Sequence, residues 1–221
     1  MELTALSISF LDETSEAYRG TQTVETTNTK QRLQAMLGYS AIWWAAAYFL
    51  ADVAAETAIS GWIVSFMLKG RDATQYVAGL TSSGYWTGMA VGRLALGPLT
   101  DRIGVRLATS IYFAIALITQ VIFVLVYSST SSLVLVILLG FLMGPLFPSG
   151  VIMLAQLLPK ELHVTAVSFV ASLGQVGGAI LPFIIGALVQ NVGIGVFPYI
   201  ILIQLGFAAS MWISLSRMRI S

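Results

Sequence analysis

Two acidic residues, Asp52 and Glu56, stand one helical turn apart inside an otherwise apolar stretch. The spacing i, i+4 puts both carboxyl groups on one face of a helix. Counted from Leu37, Asp52 lies about 22 Å along that helix, which is near the middle of a bilayer. Because charge is costly at this depth and the two carboxylates repel each other, we expect a protonatable site that faces a water-filled cavity. The alternatives are a hydrogen bond to a neighbouring helix, or a position of Glu56 near the outer interface.

Four further polar side chains in the apolar stretches are candidates for the same cavity. They carry hydroxyl and amide groups that could bind a solute, and they are Ser60, Tyr85, Gln120 and Gln175. Together with the acidic pair they form the predicted substrate- and proton-binding set. Each of these side chains could instead be a packing contact between helices.

The residues needed for other kinds of chemistry are missing. Cysteine is absent and His163 is the only histidine, so we expect neither a metal site nor a cofactor. No basic residue that could activate Ser149 as a nucleophile occurs in its stretch, which argues against an enzyme. The sequence also lacks a phosphate-binding loop, a potassium-channel filter and a repeated-arginine voltage sensor. A net charge of +1 gives no reason to expect a nucleic-acid partner.

The composition indicates that the chain is embedded in lipid. Apolar residues make up 57% of it and charged residues 10%, whereas soluble domains carry about 25% charged residues. No Asp, Glu, Lys or Arg occurs between Leu107 and Pro159, or between Leu162 and Ser216. A membrane-spanning helix needs about 20 largely apolar residues, so each of these stretches is long enough to cross twice.

Polar turns divide the chain into a tail and six predicted spans. Residues 1–36 are polar and mixed, and we interpret them as a flexible cytoplasmic tail or linker that precedes a membrane domain over 37–221. The predicted spans are Leu37–Leu68, Tyr76–Leu99, Leu107–Tyr127, Leu133–Leu158, Val164–Val189 and Val196–Leu215. The sequence therefore predicts an all-α membrane protein with six transmembrane helices.

Lysine and arginine predict the orientation of these spans. With the N-terminus inside, eight basic residues fall on the cytoplasmic side and two, Lys69 and Arg71, fall outside. The eight are Arg19, Lys30, Arg32, Arg102, Arg106, Lys160, Arg217 and Arg219. Both termini are therefore expected in the cytoplasm.

Small residues predict how the helices pack. Glycines recur once per turn at Gly84, Gly88 and Gly92, at Gly140 and Gly144, and at Gly174 and Gly178. This pattern lets helix backbones approach closely, and we interpret it as packing rather than as a functional site. Pro145, Pro148 and Pro182 lie within predicted spans, where they predict kinks.

The segment from Arg93 to Arg106 carries a recognisable motif. Its sequence, Arg-Leu-Ala-Leu-Gly-Pro-Leu-Thr-Asp-Arg-Ile-Gly-Val-Arg, resembles the cytoplasmic loop signature of the major facilitator superfamily. The matching positions are Gly97, Leu99, Asp101, Arg102, Gly104 and Arg106, while Val105 replaces a basic residue. The resemblance implies that this loop, with Arg93, forms a latch that holds one conformation of a transporter.

Other segments resemble the second half of such a transporter. The runs Gly144–Pro148 and Gly177–Phe183 are similar to the tenth and eleventh helices of the family, and Glu56–Trp62 resembles the seventh helix of its fucose-permease-like and fungal sugar-type branch. This resemblance implies secondary active transport of a small solute, possibly a sugar and possibly coupled to protons, by a half-bundle of two inverted three-helix repeats.

The number of spans departs from the family pattern. Members have twelve helices in two halves, and six are predicted in this chain. The chain could therefore be a half-transporter that pairs with a second six-helix half or with another copy of itself. The alternative is a six-helix membrane fragment or partner subunit that does not transport. The sequence does not distinguish between the plasma membrane and an organelle membrane.

Overall fold

The structure, a computed structural model, describes residues 34–218. Between Ser40 and Ser216 these residues fold into seven α-helices. The helices are α1 (Ser40–Gly70), α2 (Gln75–Ile103), α3 (Val105–Leu125), α4 (Ser129–Met143), α5 (Leu146–Leu157), α6 (His163–Val192) and α7 (Phe197–Ser216). Short 3₁₀ turns at Lys160–Leu162 and Ile194–Val196 precede α6 and α7. The predicted tail lies outside the described residues up to position 33, and residues 34–37 form a short helical turn.

Five helical stretches within residues 34–218 are long and apolar enough to cross a membrane. They are Ser40–Gly70, Val105–Leu125, Ser129–Leu157, Lys160–Val192 and Ile194–Ser216. The predicted second span, Tyr76–Leu99, corresponds to the 29-residue α2, which is not among the five. Its many Gly, Ser and Thr residues lower its hydropathy without preventing a helix. The six predicted spans end within four residues of the observed helix ends.

The predicted fourth span is divided into α4 and α5 at Gly144 and Pro145. Prolines at positions 145 and 148 have no backbone N–H, so the carbonyl groups four residues earlier lose their helical donors. One of these carbonyl groups belongs to Gly144. The two helices nevertheless continue one another as a single apolar stretch of 29 residues.

Helices α2 and α4 touch through their backbones. A methyl group on Gly88 or Gly92 would overlap the carbonyl oxygen of Ile137 or Phe141 across the interface. On the α4 side, Gly140 meets the backbone of Tyr85 in the same way. The two glycine stripes therefore face each other, and their interpretation as packing is confirmed.

Helix α6 packs on α1 by the same device. A methyl group on Gly177 would overlap the carbonyl oxygen of Leu50, and one on Gly174 would lie 3.2 Å from the carbonyl oxygen of Phe49. Pro182 lies within α6, which runs on past it without a break. Its carbonyl oxygen accepts a hydrogen bond from the indole Nε1 of Trp62 on α1, at 3.0 Å.

Helix α1 occupies the centre of the bundle, because α2, α5, α6 and α7 all pack on it. Its Tyr48 ring lies 5.4 Å from Trp212 on α7 and 6.2 Å from Phe113 on α3. The Gln204 amide of α7 donates to the carbonyl oxygen of Ala51, at 3.0 Å. The helix that carries the acidic pair is thus held in place by contacts with four other helices.

Arg71 connects the C-terminal end of α1 to the hairpin of α3 and α4. Its Nη2 donates to the carbonyl oxygen of Phe123 at 2.8 Å, and its Nε donates to Ser132 Oγ at 3.2 Å. The guanidinium also lies over the Phe66 and Tyr127 rings, 5.0 and 4.8 Å from their centroids. A cation beside the last carbonyls of α3 also complements the dipole of that helix.

Candidate functional site

A polar stripe runs along the central helix α1. Tyr48, Asp52, Glu56 and Ser60 follow at intervals of four residues, so they share one face of α1. The Asp52 side chain is 3% exposed, whereas Glu56 and Ser60 are half-buried. The predicted pair thus consists of one enclosed carboxyl group and one that is open to the surface of the described bundle.

Tyr48 belongs to this stripe but was not in the predicted set. Its hydroxyl donates to the carbonyl oxygen of Leu146, at the start of α5, at 2.9 Å. The contact links the stripe on α1 to the division between α4 and α5. The four-residue spacing back from Asp52 is the signal that could have identified it.

Tyr85 approaches the acidic pair from α2. The side chain is fully buried, and its hydroxyl donates to Met143 Sδ at the end of α4, at 3.5 Å. Tyr85 is close enough to feel the charges of both Asp52 and Glu56. The structure therefore brings three of the predicted residues together, from two helices.

Arg93 also lies near the acidic pair, although the sequence assigns it to the latch loop. It is ten residues before the end of α2, or about 15 Å inside that helix. The side chain is exposed, and its charge acts on both Asp52 and Glu56. Its Nε donates to the carbonyl oxygen of Gly144 at 3.1 Å, and its Nη2 approaches Met89 Sδ at 3.4 Å.

The remaining predicted side chains have other surroundings. Ser60 donates to the carbonyl oxygen of Thr57 within its own helix, at 3.2 Å. Gln120 is 1% exposed, and its amide donates to the carbonyl oxygen of Pro198 at 2.9 Å, which joins α3 to the start of α7. This is the packing contact named as the alternative for it. Gln175 is exposed on α6.

The signature segment is mostly helical rather than a loop. Helix α2 continues through Gly97, Asp101 and Arg102 to Ile103, and the turn into α3 is the single residue Gly104. Gly104 has φ +93°, a conformation that residues with a Cβ rarely adopt. Asp101 and Arg102 are exposed at this end of α2.

Arg106, the last residue of the signature, makes a contact within the bundle. Its Nη2 donates to the carbonyl oxygen of Met218, just beyond α7, at 3.0 Å. Trp212 on α7 adds a second link to α3, from Nε1 to Ser110 Oγ at 3.1 Å. Arg106 therefore ties the signature to the end of α7.

A cavity of about 220 Å³ connects the signature segment to Arg93. It lies between α2 and the broken fourth span, and Arg93, Asp101, Pro145 and Ser149 are among its lining residues. This volume is large enough to hold water. Arg93 and Asp101, eight residues apart on α2, therefore line one cavity.

The side chains of this site could bind protons and charged or polar solutes. Among the described residues, no cluster of His, Asp and Glu could hold a metal ion. His163, at the start of α6, bonds to the carbonyl oxygen of Leu158 at 2.9 Å. Two carboxyl groups, two tyrosines and one guanidinium can together hold protons and bind a polar solute.

Comparisons with known proteins agree with this architecture. The family model described as the Major Facilitator Superfamily matches residues 29–219. The chain is 30% identical over 199 residues to bypass of stop codon protein 6 from Saccharomyces cerevisiae, covering 86% of this chain and 40% of that protein. It is 25% identical over 143 residues to the cis,cis-muconate transport protein of Acinetobacter baylyi, covering 62% of this chain and 33% of that protein.

Solved structures show the same fold. Two crystal structures of the fucose:proton symporter FucP, one of them described as the Escherichia coli protein, superpose with TM-scores of 0.74 and 0.73 at 17% identity. Each superposition covers 85% of this chain and 45% of the symporter chain. The chain thus spans less than half the length of the relatives it matches. This multi-pass membrane protein belongs to the Major Facilitator Superfamily, whose members are solute carriers and not enzymes.

Proposed function

We propose that this chain forms the C-terminal half of a secondary active transporter, which moves a small solute across a membrane by rigid-body rocking. The observation that carries the proposal is the polar stripe from Tyr48 to Ser60 on the central helix, with Arg93 beside it. Ionisable residues inside membrane spans are expensive, and they commonly mark substrate or ion pathways. In a family of carriers, a stripe of this kind is well suited to line the transport cavity.

The proposed architecture is a half-bundle of two inverted three-helix repeats. The first repeat would contain α1, α2 and α3, and the second would contain the α4–α5 stretch, α6 and α7. Three long helical stretches in each repeat support this division, and so does the fold shared with the symporter. The predicted flexible tail and the cytoplasmic location of both termini belong to the same proposal.

The relatives support a small organic solute and coupling to protons. One relative is described as a transporter of cis,cis-muconate and one structural neighbour as a fucose:proton symporter. Asp52 and Glu56 are the groups that would carry the coupled proton in this chain. Ser60, Tyr85 and Gln175 would contribute polar contacts to the solute, while the amide of Gln120 is already engaged by Pro198.

A second six-helix half would complete the carrier. The chain spans 40% of the yeast relative and 45% of the symporter. The polar residues of α1 and α2 that lie open in the described bundle would then face that half rather than lipid. The same coverage favours one alternative, a six-helix fragment or partner subunit that does not transport by itself.

Uptake by proteoliposomes tests the proposal. The chain would be reconstituted alone and with a partner half taken from the yeast relative, and uptake of radiolabelled muconate and fucose would be followed under an inward proton gradient. We expect uptake in the paired form, and its loss in the double variant Asp52→Asn, Glu56→Gln. Uptake in neither form would favour the non-transporting alternative.

A further inference from the structure

Helices α3 and α7 expose apolar side chains along their whole length. The exposed residues of α3 are Leu107, Ile111, Ala114, Ile115, Ile118, Val121, Ile122 and Leu125. Those of α7 are Tyr199, Ile203, Phe207, Ser210 and Ile213. The Ser210 hydroxyl is bonded within α7, to the carbonyl oxygen of Phe207 at 2.7 Å. The exposed residues of α2 and α6, in contrast, include Arg93 and Gln175. An exposed apolar surface of this extent indicates that lipid covers α3 and α7.

The two helices form one surface, because hydrogen bonds join them at three levels. The bonded pairs are Gln120 with Pro198, Trp212 with Ser110, and Arg106 with Met218. The last pair places Arg106, in the first turn of α3, beside the end of α7. Since Arg217 directly precedes Met218, a second arginine lies at the same end of this surface.

Arg102 adds a third cation at this end. It is four positions before Arg106, across the turn at Gly104, so their Cα atoms are at most about 14 Å apart. Arg102 and Arg217 are exposed. Arg106 is half-buried, and its contact with Met218 uses one of the five donors of a guanidinium. The acid next to these arginines in the chain is Asp101, so three arginines and one aspartate give this end a net charge of +2.

The three arginines lie at the level of lipid head groups. Tyr127 and Tyr199, which are 75% and 52% exposed, lie at the opposite end of the same surface. Tyrosine is enriched at membrane interfaces. Helix α3 has 21 residues, or a length of about 31 Å, which matches a hydrocarbon core of about 30 Å. One membrane interface is therefore expected at the tyrosines and the other at the arginines.

We propose that Arg102, Arg106 and Arg217 bind the phosphate of an anionic phospholipid, whose acyl chains lie on the apolar surface of α3 and α7. A guanidinium fits a phosphate with two parallel hydrogen bonds. The net charge of +2 favours a head group with a net negative charge over a zwitterionic one, which carries its own cation. A phosphate shared by these arginines joins the ends of α2, α3 and α7. In the proposed orientation this lipid belongs to the cytoplasmic leaflet, where anionic lipids are attracted by basic residues.

Lipid binding to the purified chain in detergent tests this inference. The probes are dioleoyl phosphatidylglycerol, dioleoyl phosphatidylcholine and inorganic phosphate, and native mass spectrometry counts the bound molecules. We expect phosphatidylglycerol to bind more tightly than phosphatidylcholine and to raise the unfolding temperature, because it binds the folded chain. Equal binding of the two lipids would overturn the inference. Arginine-dependent binding of inorganic phosphate without a preference for phosphatidylglycerol would overturn it as well.

Two double variants with the same change of net charge sharpen the test. Arg102→Gln with Arg217→Gln should weaken phosphatidylglycerol binding by about fivefold for each arginine, which is the usual contribution of one basic residue at a membrane surface. Lys69→Gln with Lys160→Gln removes two exposed lysines at other helix ends and should retain the affinity. Equal losses in both double variants would mean a general attraction by charge and would contradict a site.

Arg106 is kept in these variants, because its substitution would also remove the contact with Met218. Arg102 and Arg217 are exposed, so we expect their substitution to leave the unfolding temperature without added lipid unchanged. If that temperature falls, Arg217→Lys decides the matter, since it keeps the charge and should keep most of the preference for phosphatidylglycerol. Loss of that preference in Arg217→Lys would contradict binding through charge. All these measurements use the chain alone, so their outcome does not depend on transport.

Discussion

Arg93 Nε donates to the carbonyl oxygen of Gly144, an oxygen whose helical donor is missing because residue 148 is a proline. A side chain of α2 thus replaces a backbone N–H that α4 and α5 lack. The same guanidinium lies close enough to Asp52 and Glu56 for their charges to interact. The residue that supports the broken span thus also lies near the acidic pair.

A double-mutant cycle measures this replacement. Pro148→Ala restores an N–H close to the Gly144 carbonyl oxygen, so that oxygen no longer depends on Arg93. We expect Arg93→Gln to destabilise the Pro148→Ala protein by about 0.5–1.5 kcal/mol less than it destabilises the unmodified chain, which is the usual value of one hydrogen bond. Thermal unfolding in detergent measures the loss of stability caused by Arg93→Gln in the Pro148→Ala protein and in the unmodified chain. Equal losses in the two backgrounds would contradict the replacement, and Pro159→Ala, outside the helices, serves as the control.

The contact between α2 and α4 predicts unequal effects of glycine substitutions within one helix. Gly88→Ala places a methyl group against the carbonyl oxygen of Ile137, so it should destabilise the bundle by about 1–3 kcal/mol. Gly79→Ala, in the same helix with open space around it, should be neutral or slightly stabilising. Unfolding temperatures of the two purified variants check this expectation. A stable Gly88→Ala protein would mean that the helices separate at little cost.

The proposed orientation can be checked at the two ends of α6. The chain has no cysteine, so single cysteines can be introduced without removing others. Val192→Cys is at an exposed end that should face outside, and Glu161→Cys is at the opposite end, which should face the cytoplasm. A membrane-impermeant maleimide added to intact cells should label the first and not the second. Labelling of Glu161→Cys alone would reverse the orientation.

The acidic pair predicts a pH-dependent transport rate in the assembled carrier. Glu56→Gln and Asp52→Asn each remove a group that gains or loses a proton, so each should flatten the dependence of uptake on pH. Glu161→Gln removes an exposed acid outside the bundle and should leave the profile unchanged. Initial uptake rates across a pH series provide the comparison. If the double variant kept both the uptake rate and its pH profile, the acidic pair would have only a structural role.

The signature segment predicts a loss of transport without a loss of protein. If Asp101 stabilises one conformation, Asp101→Asn should reduce uptake by the complete carrier while its abundance in the membrane stays close to normal. The matched control is Asp72→Asn, an exposed aspartate in the turn between α1 and α2, at the opposite end of α2 from Asp101. Its φ of +48° is readily adopted by asparagine. Equal uptake by both variants would leave Asp101 as an ordinary residue of a solvated turn.

The parts of the fold that depend on local sequence could be predicted. Apolar runs predict the helices, and Gly104 is a residue suited to the turn between α2 and α3. The facing glycine stripes were predicted as packing surfaces, and Gly88, Gly92, Gly140 and Gly144 each have a carbonyl oxygen opposite them. These features follow from spacing along one helix, which a sequence shows directly.

The features that depend on contacts between helices distant in the sequence could not be predicted. Arg93 was grouped with the latch because it is near the motif in the chain, yet its side chain bonds to Gly144 on the broken fourth span and to Met89. Gln120 resembles a cavity residue until the carbonyl of Pro198 is placed beside it. An unpaired carbonyl, such as that of Gly144, has no signature beyond the position of a proline, and its partner is fixed only by tertiary structure.

The glycine contacts also determine which helices of this bundle can move relative to one another. Backbones that touch have no side chains between them to change rotamer, so the pairs α2–α4 and α1–α6 are stiff. Movement between helices is then left to interfaces made of side chains, among them the contacts of Arg93 and Tyr48 with the break between α4 and α5. Bending of the bundle is therefore expected at the break between α4 and α5, where side-chain hydrogen bonds rather than touching backbones hold the neighbouring helices.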